Sequence, residues 1–260
     1  MLDSPEVVPE KIDSSINYKF LLAIVSIAII FQFTLTFAFT IDESDLIISI
    51  VSLINPLAVA IIGFFLTYRY RGSLVFGKSY LMLSLGFFSL FIAEVTYSIY
   101  DLVLEIEPYP SIADIFFFAY IPLLITHLIL NIRFFQPKIK NTTKLGIITL
   151  PVIITLAYAI LALNEIGEVN FDFNYGIIFV AATSVALTLT ILGTRIFKEG
   201  ILGKSWWILL LGVLALTFAD DWYYYLEIIG EYDLTHPVNT LWYAGYWIVA
   251  YALLKHKKII

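Results

Sequence analysis

The fifteen Lys and Arg residues of this chain fall only in alternate gaps between long apolar stretches. Lys11 and Lys19 precede the first stretch, and Arg69, Arg71 and Lys78 separate the second from the third. Arg133, Lys138, Lys140 and Lys144 separate the fourth from the fifth, and Arg195, Lys198 and Lys204 the sixth from the seventh. Lys255, Lys257 and Lys258 close the chain, while the remaining gaps carry acids alone. Cationic loops resist translocation and stay on the cytoplasmic side. The segregation therefore predicts both a bilayer environment and an orientation.

Composition agrees. Sixty per cent of the residues are hydrophobic and 14% are charged, where a soluble domain carries about 25% charge. The net charge of −6 comes from acids gathered on one side, so nucleic acid is not an expected partner. The absence of cysteine excludes disulfides, thiolate metal sites and cysteine nucleophiles. Residues 1–17 read as a polar cytoplasmic tail without a basic region or cleavage site, so the first stretch is expected to be retained as a helix.

A hydrocarbon core of about 30 Å needs about 20 apolar residues. Eight stretches reach roughly that length, at 18–40, 46–69, 79–102, 111–133, 144–164, 174–197, 203–228 and 236–255. Backbone groups in lipid must be satisfied within each segment, which makes these stretches helices. The expectation is an all-α polytopic protein of the cell membrane, with eight transmembrane helices and both termini cytoplasmic. Tyr97, Tyr100 and Trp222 to Tyr225 sit where interfacial aromatics gather.

A repeat runs through the chain at an offset of 126 residues. Gly77-Lys78-Ser79 matches Gly203-Lys204-Ser205, and Gly86, Ala93 and Glu94 match Gly212, Ala219 and Asp220. Tyr97, Asp101, Glu105 and Glu107 match Tyr223, Glu227, Glu231 and Asp233; Arg69 matches Arg195 and Asp42 matches Glu168. This predicts two parallel four-helix repeats, 18–134 and 144–260, joined by a cytoplasmic linker at 135–143.

The repeat points to one candidate site. Glu94, Tyr97, Ser98 and Asp101 share one helical face, and Asp220, Tyr223, Tyr224 and Glu227 repeat the spacing. Glu94 lies about 22 Å along the helix from Ser79, inside the outer part of the hydrocarbon. A carboxylate there costs on the order of 2.5–3.5 kcal/mol unless protonated, paired or wet. No Lys or Arg is predicted at that depth. The acids either line an outward-opening cavity for a small cation or amine, with tyrosine faces adding cation–π attraction, or they form a duplicated packing device between the third and seventh helices. Asp221, whose counterpart is Val95, is the asymmetric member.

Other motifs read as structural. Ser111 and Asp114 form a capping pair, and Pro237 suits entry to the eighth helix. Residues 72–79 match a phosphate-loop pattern but follow a membrane span, so a helix entry with Ser79 near the cap and Lys78 snorkelling is expected. His127 predicts a polar interhelical contact with Thr126 and Asn131 nearby, and His256 belongs to a basic tail facing lipid headgroups. The spacing of His127, His236 and His256 gives no metal set and no cofactor is expected. The sequon at Asn141-Thr142-Thr143 falls on the cytoplasmic side.

Pro108-Tyr109-Pro110-Ser111-Ile112-Ala113-Asp114, followed by Phe116-Phe117 and Tyr120-Ile121-Pro122, resembles a segment in the N-terminal multi-helix membrane regions of some prokaryotic diguanylate cyclases and histidine kinases. The resemblance covers about residues 80–130. It implies a sensory membrane module which, having no output domain of its own, would signal through a cytoplasmic or membrane partner. The functional expectation is a non-enzymatic module that senses or binds a ligand on its outer side through Glu94, Tyr97, Asp101, Asp220, Asp221, Tyr223 and Glu227. A small proton- or cation-coupled transporter is the alternative.

Overall fold

The computed structural model describes residues 16–197, 203–233 and 235–256. Lys11, Lys198, Lys257, Lys258 and nearly all of the expected tail lie outside the described residues, as does the side chain of Asp42. The order is α1 Tyr18–Ala38, α2 Ile41–Arg69, α3 Phe76–Ser98, a π-helical turn Ile99–Val103, α4 Ile112–Phe135, α5 Asn141–Ile166, α6 Phe171–Phe197, α7 Gly203–Ile229 and α8 Asn239–Lys255. No strand occurs among the described residues. Seven helices, α1 to α7, are long and apolar enough to cross a membrane. The eighth has 17 residues, about 26 Å of helix against a core of about 30 Å.

Local chemistry sets the helix starts. Asn17 Oδ1 accepts from the amides of Lys19 and Phe20 at 3.1 and 3.2 Å. Thr40 and Glu43 form a capping box, which starts α2 five residues before the expected 46. Ser111 and Asp114 form the expected second box. Ser79 is not a cap: α3 begins at Phe76, whose amide is taken by Ser73 Oγ at 3.0 Å. Pro237 lies in a turn just ahead of α8 rather than in its first turn.

Six helices close a ring in which α2 packs on α3, α3 on α4, α4 on α6, α6 on α7, α7 on α8 and α8 on α2. Outside it, α1 lies against α8, and α5 against α6 and α7. Helices α3 and α7 face each other across the ring and meet through the side chains of Phe76, Tyr80 and Trp206 at the cationic end. The Asn17 amide donates to Tyr251 Oη at 2.9 Å, and Tyr70 Oη to the His256 carbonyl at 3.4 Å. The start of α1 and the ends of α2 and α8 therefore share one end of the bundle. That is the cationic end.

Close approach within the ring depends on small residues. A Cβ on Gly212 would lie 2.7 Å from Val249 Cγ2 and 3.0 Å from the Gly245 carbonyl. One on Gly86 would meet Tyr120 at 3.2 Å and Leu123 at 3.5 Å. Leu123 and Val249, like Tyr120 and Tyr246, keep the offset of 126, so both contacts join equivalent positions.

At the acidic end the two halves diverge. Helix α7 ends at Gly230 with φ +67°, whereas the π turn after α3 delays the left-handed residue to Glu105 with φ +53°. The offset at the cap is therefore 125 residues, not 126. Asp101 lies within the wider π turn and is exposed.

Candidate functional site

The acids of α3 and α7 are placed by ring closure. Glu94 follows the buried Ala93 and Asp220 follows the buried Ala219, so both small residues face packed helices and the carboxylates fall at the ring interior. Both carboxylates are half-buried. Their fields converge on Tyr246 of α8, whose hydroxyl lies within electrostatic reach of Glu94, Asp220 and Tyr120. Neither acid has a Lys or Arg beside it among the described residues.

The two differ in their partners. Trp242 Nε1 donates to Asp220 Oδ1 at 2.8 Å. Glu94 makes no hydrogen bond to any described residue; Tyr97, Tyr243 and Tyr246 lie within its electrostatic reach. Tyr243 Oη and Tyr120 Oη are both buried without a partner. Of the hydroxyls within reach of Glu94, that of Tyr243 is buried with no hydrogen-bond partner among the described residues.

Asp221 belongs elsewhere. Adjacent helical residues point about 100° apart, and Asp221 turns to α6, where Thr183 Oγ1 donates to its Oδ1 at 2.6 Å. Its Oδ2 is buried with no partner among the described residues. A shallow groove of about 330 Å³ runs past it, lined also by Phe218, Trp222 and Tyr225. Glu94 and Asp220 are not among the groove residues.

Farther out, Tyr223 packs on Tyr232 at 4.7 Å and on Trp242 at 5.6 Å between ring centroids. Tyr97, 40% exposed, lies within electrostatic reach of Asp101, Glu107 and Glu227 as well as Glu94. Glu227 is exposed. Glu94, Tyr97, Asp220, Tyr223 and Glu227 thus share one interior and its rim, Asp101 stands on the surface, and Asp221 is turned away.

At the acidic end the segment before α4 and the start of α4 are bonded to α6. Tyr175 Oη donates to Asp114 Oδ1 at 2.7 Å while Asp114 Oδ2 accepts the Ser111 amide at 2.6 Å. Tyr109 Oη donates to Asp172 Oδ1 at 3.0 Å. Burial, and then the carboxylate that accepts its proton, push the Tyr109 hydroxyl well above the ordinary phenol value. The proline-rich segment 108–114 therefore anchors α6 as well as opening α4.

Tyr246, Trp242 and Thr183 carry no motif in the sequence, and Tyr120 enters there only through the Tyr120-Ile121-Pro122 run. Tyr120 and Tyr246 could have been found, since they obey the same offset as the acids. Trp242 and Thr183 carry no such signal. At the other end, the phosphate-loop lookalike is a short turn between two helices: a Cβ on Gly77 would lie 2.6 Å from the Tyr70 carbonyl. This packs backbone on backbone and leaves no phosphate cradle.

No family model, no curated protein and no solved structure matches the chain. The reading of the site rests on its own chemistry.

Proposed function

We propose that this is a cell-membrane module of eight spans that binds a small cation or amine from the outer side, between two parallel four-helix units whose ends are cytoplasmic. The observation that carries the reading is the pair of carboxylates, Glu94 and Asp220, both within electrostatic reach of Tyr246 and with no basic residue beside them among the described residues. Uncompensated carboxylates inside a membrane bundle mark ligand or ion pathways. Here Glu94 is the acceptor for the guest, and Asp220, held by Trp242, sets the potential around it. Tyrosine rings and hydroxyls complete the shell.

Several features support the duplicated architecture. The contact of α4 with α6 has its counterpart in that of α8 with α2, as a twofold along the membrane normal requires. The equivalent residues Tyr80 and Trp206 stack with centroids 5.9 Å apart. The outer helices break the symmetry, since α1 docks on α8 but α5 docks on α6. The eighth span is short for a bilayer, and its burial in the ring supplies part of the cover that lipid would give a longer helix.

A closed inner end favours binding over transport. Tyr80 and Trp206 are 0% and 1% exposed, which plugs the interior on the cationic side. The resemblance of 108–114 to sensory regions fits a module that passes occupancy to a membrane or cytoplasmic partner. The test is titration of the purified protein with tetramethylammonium and with sodium, read by tryptophan fluorescence. Saturable binding lost in Glu94→Gln is the expected result; no saturable change with either cation, or binding unaffected by Glu94→Gln, would refute the reading. Cation uptake by proteoliposomes would replace binding by transport.

A further inference from the structure

Beyond the acidic interior, the cationic end of the ring encloses a second polar cluster. Tyr80, His127 and His256 are 0% exposed, Ser205 1% and Asn131 2%. They come from α3, α4, α7 and the residue after α8. Trp206 stacks on His127 at 5.8 Å and meets His256 edge-on at 5.1 Å, and Tyr80 lies 5.9 Å from His256. His256, expected in a basic tail facing lipid headgroups, is instead buried within this cluster.

The hydrogen bonds determine which protons are present. His256 Nδ1 lies 2.6 Å from the Ala252 carbonyl, which can only accept, so Nδ1 carries the proton. His127 Nδ1 lies 2.9 Å from the Ser79 carbonyl, which can only accept, and 2.8 Å from Ser79 Oγ; a proton on Nδ1 satisfies the carbonyl and leaves the hydroxyl to donate to the His127 carbonyl at 3.4 Å. Asn131 Nδ2 donates to the His127 carbonyl at 2.7 Å and to Ser79 Oγ, which sets the orientation of that amide. Each of His127 Nε2, His256 Nε2 and Asn131 Oδ1 is then an acceptor, and none has a hydrogen-bond partner among the described residues. The unpartnered hydroxyls of Tyr80 and Ser205 can each donate once. No donor among the described residues forms a hydrogen bond to any of these three acceptors.

Buried acceptors in folded proteins are almost always satisfied, and internal water commonly does it. A cation is less suited, since no carboxylate is present in the cluster. We infer that the His127–Tyr80–His256 cluster is a binding site for enclosed water, a small neutral hydrogen-bond donor that joins α3, α4 and α7 to the end of α8. Metal bridging is not needed, because Trp206 stands between the two imidazoles.

The experiment is magic-angle-spinning NMR on protein labelled with ¹⁵N-histidine in lipid bilayers at neutral pH. His236→Asn removes the third histidine signal. We expect both remaining rings to show an unprotonated Nε2 and magnetisation transfer from water, retained in Tyr80→Phe. A protonated Nε2 on either ring overturns the site. So does an absence of water transfer in the unsubstituted protein, which would mean that side chains close the network directly.

Discussion

Trp242 Nε1 holds Asp220 Oδ1 at 2.8 Å, and the residue at the corresponding place in the first unit is Phe116, which cannot donate. Of two carboxylates at equivalent positions, one is therefore anchored and the other is free. Trp242→Phe should lower thermal stability in detergent by about 1–3 kcal/mol, the scale of a lost hydrogen bond to a charged group. Glu94→Gln removes a charge that no described residue satisfies and should leave the melting temperature unchanged or raise it. Equal losses in the two variants would contradict the assignment.

Asp114 serves both as capping residue and as the acceptor for Tyr175. Tyr175→Phe removes one role and should cost about 1 kcal/mol. Asp114→Ala removes both and should cost roughly 2 kcal/mol or more. Thermal melts of the two variants and the double variant check this: the double variant should fall little below Asp114→Ala.

Gly212 and Gly86 occupy equivalent places with unequal room. A methyl at Gly212 meets Val249 and the backbone of α8 below 3.0 Å, where Tyr120 beside Gly86 stands at 3.2 Å and has a side chain able to shift. Gly212→Ala should cost about 1–3 kcal/mol and Gly86→Ala less than half of that. The order of the two melting temperatures is the readout.

Burial holds the His256 imidazole down to about 4, with the Ala252 carbonyl opposing and His127 adding to the effect. The unfolded chain binds its proton near 6.5. Because the folded value is depressed, stability is full above about pH 6.5, declines as pH falls towards 4, and levels off below. The contribution is up to about 3 kcal/mol. The groups around the ring are Tyr80 of α3, His127 of α4 and Tyr70 at the end of α2. Unfolding measured from pH 7 to pH 4 should show a shallower decline in His256→Asn than in the unsubstituted protein.

Helices, their order and the cationic end were legible because each has a local cause: apolar runs, the Ser111–Asp114 box and the placement of Lys and Arg. The α2 start was missed because Asp42, Glu43 and Asp45 look like loop residues until Thr40 is recognised as a cap. Asp101 was assigned to the face of Glu94 by assuming 3.6 residues per turn, and the π turn changes that spacing. Asp221 is expected at one site with Asp220, yet neighbours on a helix point about 100° apart, and it turns to Thr183 instead. That α3 and α7 face each other across a ring, rather than lying side by side, could not be read from one chain, because it depends on which helices close the ring. The burial of His256 was missed for the same reason: a residue beside lysines reads as tail until Trp206 and Tyr80 are brought over it.

The most direct measurement uses the absence of cysteine from the chain. Glu94→Cys gives a single thiol, to be challenged in intact cells with a membrane-impermeant maleimide, with and without tetramethylammonium. The account predicts labelling from outside that the cation slows. A thiol that reacts only after the cytoplasmic face is exposed, or one that never reacts, would contradict it.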